Sequence, residues 1–333
     1  MRRSTNRTPV FILFALFFGH TAVPARAGLF VTSDLTCQVL EYDGTTGAFA
    51  NAFVPAGTGG LTSPRGLVFG PNGDLFVTSE LTNQVLEYDG TTGAFVKAFV
   101  SSVSGGLLLP FGLAFGPNGD LFVASNITDE VLEYNGTTGT FVKAFVSAGS
   151  GGGLFGPSYL AFGPNGDLFV SSTNTFQVLE YSGTTGAFVK AFVDIGSGGL
   201  SSPLGLVFGA NGDLFVASSD TAEVLEYNGT TGAFVKAFVS VADSGGLIQP
   251  AGLVFGPKGD LFVSDFGLSQ VLEYDGTTGA LVKAFVSPGS GGLDGPQALA
   301  FKPDVPEPGS LVLASLGGLF VVGYRRWRAL CRR

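Results

Sequence analysis

The chain has 333 residues, of which 45% are hydrophobic and only 13% charged, with 52 glycines and a formal charge of −9 at pH 7. The imbalance is sharper between residues 28 and 308, which hold 8 Lys and Arg against all 26 acids, a formal −18. Such a surface excludes nucleic acid, anionic membranes and anionic polysaccharides held by simple charge attraction, and it suits solubility outside the cell or weak binding of divalent cations.

Residues 1–27 read as a secretory signal. Arg2, Arg3 and Arg7 precede the apolar run 10–18, and Ala25-Arg26-Ala27 has the small-x-small pattern that signal peptidase cleaves. The run predicts a short signal helix, too short to span a bilayer. The mature chain is expected to start at Gly28 and to lack histidine, because His20 leaves with the signal. Without an imidazole, no Ser–His or Cys–His pair and no His-ligated zinc is available.

From Gly28 onward the sequence repeats. The tyrosine of a Val-Leu-Glu-Tyr segment falls at Tyr42, Tyr88, Tyr134, Tyr181, Tyr227 and Tyr274, at spacings of 46, 46, 47, 46 and 47 residues. A fixed period in this range marks a repeat architecture. Each unit has four short apolar runs; in the second they cover 66–69, 74–77, 84–88 and 94–100. Pro71-Asn72-Gly73 and Asp89-Gly90-Thr91-Thr92-Gly93 break these runs with residues that accept tight turns. Runs this short, rich in Val, Phe and Leu, predict strands, and tight connections predict an antiparallel meander. In the fourth run Lys97 recurs as Lys143, Lys190, Lys236 and Lys283. It reads as an edge-strand charge that blocks edge pairing and meets the recurring Glu87, Glu133 and Glu180; a lysine ring for an anion is the other reading. The recurring Asp74, Asp120, Asp167, Asp213 and Asp260 follow a turn and read as turn chemistry.

The two ends of the repeat region complement each other. Gly28-Leu29-Phe30-Val31 aligns with a second strand (Asp74-Leu75-Phe76-Val77), and the missing first strand appears at 296–301, which aligns with 64–69. Five whole units start near Pro64, Pro110, Pro157, Pro203 and Pro250. The chain therefore predicts an all-β, six-bladed β-propeller over residues 28–302, four antiparallel strands per blade, with the first blade completed by the C-terminal strand. Closure removes exposed sheet edges. The succession Pro-x-Gly-Leu-Val/Ala-Phe, Gly-Asp-Leu-Phe-Val-x-Ser/Asp and Gln-Val-Leu-Glu-Tyr-Asp resembles the NHL-type repeat of six-bladed propellers. The last unit is the most similar, keeping Asp265 where the others carry Ser33, Ser79, Ser125, Ser172 and Ser218. That resemblance implies the fold and leaves the function open.

Residues 303–333 differ in kind. Val305, Pro306, Glu307 and Pro308 precede an apolar stretch that predicts a transmembrane helix over about 309–324, and residues 325–333 hold five arginines and no acid. The arginines place that tip in the cytoplasm while the propeller is exported. The order of these parts resembles a PEP-CTERM sorting signal. The resemblance implies processing by an exosortase-type membrane protease in a Gram-negative bacterium that makes exopolysaccharide, and places the protein in the cell envelope or extracellular matrix. Cys331 lies in the tip, so Cys37 is left without an intrachain disulfide partner.

A single axial site must break the six-fold symmetry, so its residues should lie where units differ. The connections between second and third strands supply Asp34, Glu80, Asn126, Asp220 and Asp265 as candidate metal ligands, with Asp129 beside them. Such oxygens suit Ca²⁺, the ion held by similar gluconolactonase- and regucalcin-like propellers, and that likeness implies a Ca²⁺-dependent hydrolase or lactonase as the alternative function. Streptogramin lyases look similar too, but they rely on histidine. No catalytic constellation is legible, and no catalytic residue or cofactor is assigned. The leading expectation is a non-enzymatic propeller that binds an envelope or matrix protein or glycan through a rim. That rim is built from these connections and the blade-joining loops at 101–109, 147–155, 194–202 and 240–249.

Overall fold

The computed structural model describes residues 28–302. These form six four-stranded antiparallel sheets, each in simple meander order from the axis outward. Blade 2 is built from Pro64–Phe69, Leu75–Ser79, Gln84–Tyr88 and Phe95–Val100, and blades 3 to 6 repeat it from Pro110, Pro157, Pro203 and Pro250. Blade 1 takes three strands from the start of the described chain (Gly28–Ser33, Gln38–Asp43, Phe49–Val54) and its inner strand, Pro296–Phe301, from the end. Leu29 pairs with Phe301 and Val31 with Leu299, so the ring closes by hydrogen-bonded strands. The signal segment 1–27 with Ala25 and Ala27, and the segment 303–333 with its expected transmembrane helix, lie outside the described residues. Among the described residues no helix is long and apolar enough to cross a membrane.

Strand edges shift slightly from the sequence expectation, for physical reasons. Pro64 joins the inner strand, opposite Ser79 across a bulge; lacking an N–H, proline is tolerated at the first position of a strand. Asp74 drops out of the second strand because its carboxylate accepts the Gly90 N–H at 3.1 Å, tying two turns of one blade together.

The core lies between blades. Phe30 meets Phe53 of its own outer strand edge-to-face at 4.8 Å and Phe69 of the next blade's inner strand at 5.0 Å, and this arrangement repeats round the ring. The tyrosines that define the period form a second seam. Tyr88 is buried and donates its hydroxyl to the Thr58 carbonyl of the preceding linker at 2.9 Å, and Tyr42 does the same to Ser290 at 2.7 Å across the closure. Burial pushes these hydroxyls far above the usual tyrosine range. Gly93 completes the seam: its φ is +70°, and a Cβ there would lie 1.8 Å from the Phe53 carbonyl oxygen of the previous blade. Only glycine tolerates both conditions.

The recurrent lysines sit opposite the recurrent glutamates across the outer strand pair, with Lys97 Nζ 3.4 Å from Glu87 Oε2 and the other four pairs at 3.5 Å. Each ammonium also lies about 5 Å over its own strand's ring, Lys97 over Phe99 at 5.1 Å. Asn72 donates to the other oxygen of Glu87 at 3.1 Å. The charges are thus consumed within each blade, as the edge-strand reading expects.

Candidate functional site

Two rims result from the meander. The upper rim carries the loops between second and third strands together with the blade-joining loops, as the Glu80 N–H to Ser63 carbonyl bond of 3.2 Å and the Asp34 N–H to Gly295 carbonyl bond of 3.2 Å establish. The lower rim carries the remaining turns and both ends of the described chain, where the Lys302 N–H donates to the Gly28 carbonyl at 3.1 Å.

The mouth of the tunnel at the upper rim is where the repeats stop matching. The residue after each inner-strand proline is Arg65, Phe111, Ser158, Leu204, Ala251 or Gln297. Arg65 is the one cation among them, and two loops converge on it. Its Nε meets Glu80 Oε2 at 2.5 Å and its Nη1 meets Asp34 Oδ2 at 3.1 Å, with both carboxylates buried. The guanidinium lies 5.0 Å over the Phe111 ring. Ser63 Oγ stands 2.5 Å from Asp34 Oδ1 and 2.8 Å from Glu80 Oε2; a hydroxyl has one proton, so it serves one carboxylate at a time. Two carboxylates against one guanidinium leave the cluster one negative charge in excess.

Of the five sequence-predicted metal candidates, the fold brings together Asp34 and Glu80 and separates the rest. Asn126 donates to the Pro157 carbonyl at 3.1 Å. Asp220 accepts from Ser202 at 2.6 Å and from Ser201 at 3.1 Å. Asp265 is fully buried and pins its own loop, accepting the Gln249 N–H at 3.1 Å, the Gly267 N–H at 3.2 Å and the Gln270 amide at 3.1 Å. It does the work of Ser79 in blade 2, which accepts the Thr62 N–H at 3.0 Å. Among the described residues no three of His, Cys, Asp and Glu are grouped to hold a metal. The convergent pair does not fit Ca²⁺, which takes six to eight oxygens: a guanidinium stands where the cation would.

Tyr159 is a departure that the sequence reading missed. Blades 2, 3, 5 and 6 carry Gly66, Gly112, Gly205 and Gly252 at this inner-strand position and blade 1 carries Ala298, while blade 4 places a phenol in a tunnel cavity of about 130 Å³. The ring is partly buried along the tunnel, and its hydroxyl oxygen is enclosed and has no hydrogen-bond partner. Burial pushes that hydroxyl well above the usual range, with Arg65 drawing it down and Asp34 pushing it up, so the phenol stays neutral.

A second missed feature is apolar. The second residue of the upper loop is Leu35, Leu81 and Ile127 in blades 1 to 3, with relative exposures of 63%, 63% and 60%, whereas blades 4 to 6 carry Asn174, Asp220 and Gly267 there. Phe155 extends the patch toward blade 4 with 53% exposure. Comparing the six units position by position would have found the Leu-Leu-Ile run; its exposure required the fold. On the lower rim a cleft of about 600 Å³ between blades 5 and 6 has Phe215, Phe238 and Phe255 in its wall with Glu226 and Asp260, and a counterpart of about 380 Å³ lies between blades 2 and 3. These clefts follow the repeat and lie away from the Arg65 cluster.

Comparison with known proteins bears on both the fold and the tail. Residues 304–328 match the PEP-CTERM protein-sorting motif, so the chain carries a signal of exported, envelope-associated proteins, one that implies processing by an exosortase-type enzyme. A chain of a nidogen/laminin complex superposes with a TM-score of 0.66 at 15% identity, covering 83% of this chain and 98% of that one. A Bacteroides caccae protein of unknown function gives 0.63 at 16% identity, covering 84% and 100%. A catalytically inactive histidine-to-alanine form of virginiamycin B lyase from Staphylococcus aureus, solved with quinupristin, gives 0.57 at 13% identity, covering 83% and 92%. At these identities the likeness is one of fold. No curated protein matches the sequence.

Proposed function

We propose that this is a non-enzymatic propeller of the cell surface or extracellular matrix that binds an envelope protein or glycan through its upper rim. The observation that carries the reading is the placement of the chain ends. Residue 302 leaves from the lower rim beside Gly28, so the segment with the sorting motif emerges from the face opposite the loops. While that segment holds the protein at a membrane, the upper rim points outward. The symmetry-breaking residues Asp34, Glu80, Arg65 and Tyr159 and the exposed Leu35, Leu81 and Ile127 are all at the tunnel or on that outward face.

Binding is favoured over turnover by the chemistry available. Residues 28–302 contain no histidine, so the route of a histidine-dependent lyase is closed. The lactonase alternative needs an oxygen-ligated Ca²⁺, and the carboxylates that converge are engaged with Arg65. Hydrogen exchange of the exported full chain, with and without surface material from the bacterium that makes it, tests the reading. Protection is expected in the upper loops 34–37, 80–83 and 126–129. Protection limited to the lower-rim turns 89–93 and 135–139, or none anywhere, would refute it.

A further inference from the structure

We infer that the partner on this rim is a protein presenting a basic surface with an apolar anchor, and that it docks over blades 1 to 3. The inference rests on the reading of the upper rim as the binding face and names what that face selects. Three adjacent blades place Leu35, Leu81 and Ile127 at one loop position, each with about three-fifths of its surface in water, and the other three blades fill that position with small or polar residues. The repeat itself thus shows that the loop folds without an apolar side chain there, so nothing in the blade demands one. Exposed aliphatic groups repeated at one loop position on adjacent blades of a single rim mark a face for protein contact. A sugar ring is held instead by hydrogen bonds and aromatic faces; Leu35, Leu81 and Ile127 offer neither, and Phe155 is a single ring at the margin toward blade 4.

Charge decides which protein. The upper rim carries ten carboxylates and a single cation, Arg65, which two of those carboxylates already occupy; the seven lysines of the described chain lie toward the lower rim. Asp129 and Glu130 follow Ile127 in sequence, and Asp294 contributes the carbonyl that the Leu35 N–H meets at 3.2 Å. A like-charged partner is repelled from such a rim and a basic one is steered onto it.

The test places a photo-crosslinking benzoylphenylalanine in the full chain, exported by its own cell, in place of Ile127 on the upper rim or of Thr91 on the lower. The expected result is an adduct from position 127 and none from 91. That adduct should be protease-sensitive, its captured component should have an alkaline isoelectric point, and its yield should fall as salt is raised. The pair Leu35→Asn and Leu81→Asn, which copies the residue blade 4 already carries there, should reduce the yield on the order of tenfold. The control change Ile248→Asn, at an exposed apolar residue of the loop joining blades 5 and 6 on the same rim, should leave it unchanged. A protease-resistant glycan adduct at 127 would overturn the inference and leave the upper rim as the binding face. An acidic protein, or a yield indifferent to the asparagine pair, would overturn it likewise. Adducts at 91 alone would remove the binding-face reading as well.

Discussion

Replacing Arg65 by methionine keeps a stem of similar length against Phe111 but strips the charge from between Asp34 and Glu80. Both carboxylates are buried, with exposures of 6% and 7%, while the arginine side chain is 21% exposed. Breaking a buried ion pair by removing one partner costs about 3–5 kcal/mol, and the partial exposure of the guanidinium lowers this to about 2–4 kcal/mol. The loss is expected to be recoverable, because replacing a whole buried ionic cluster with neutral groups of the same shape is often close to neutral. Urea denaturation of the full chain, comparing Arg65→Met with the triple change Asp34→Asn, Arg65→Met and Glu80→Gln, separates the two effects at constant m-value. An Arg65→Met cost under about 0.5 kcal/mol, or a triple variant no more stable than the single one, would mean that the cluster is not held by ion pairing.

Three other expectations follow from the packing between blades. Gly93→Ala and Gly73→Ala both force a left-handed alanine, but Gly73 has open space where Gly93 meets the Phe53 carbonyl; denaturation should show Gly93→Ala to be worse by about 1–3 kcal/mol, the cost of overpacking. Tyr88→Phe loses a buried hydrogen bond to Thr58 and should cost about 0.5–1.5 kcal/mol, whereas Tyr159→Phe removes an unpartnered hydroxyl and should be neutral or stabilising. In alkali, the buried tyrosines hold their protons in the native state while unfolded ones lose them near pH 10. Each raised hydroxyl therefore contributes stability that is complete below about pH 10 and is lost above it at about 1.4 kcal/mol per pH unit. Tyrosinate absorbance and circular dichroism followed together should change in one step; ionisation of Tyr42, Tyr88 and Tyr181 ahead of unfolding would contradict their burial.

The ring is legible in one dimension, because the blade is a local object. Each meander is written within about 46 residues as runs, turns and a recurring Tyr at the end of its third strand, and the orphan strand at Pro296–Phe301 could be matched to the three strands after Gly28 by alignment alone. The pairing of Lys97 with Glu87 was legible for the same reason, both residues sitting on neighbouring strands of one hairpin. The mouth of the tunnel, by contrast, takes its character from residues that the assembled ring brings together. Asp34 and Glu80 come from different blades and meet at an arginine that no local pattern marks, so donors that look like a metal set in one dimension fold onto a resident guanidinium. Tyr159 reads as one more inner-strand residue until the ring sets it among the glycines of its neighbours. Leu35, Leu81 and Ile127 lie 46 residues apart in the chain and share one rim because successive blades stack side by side around the axis.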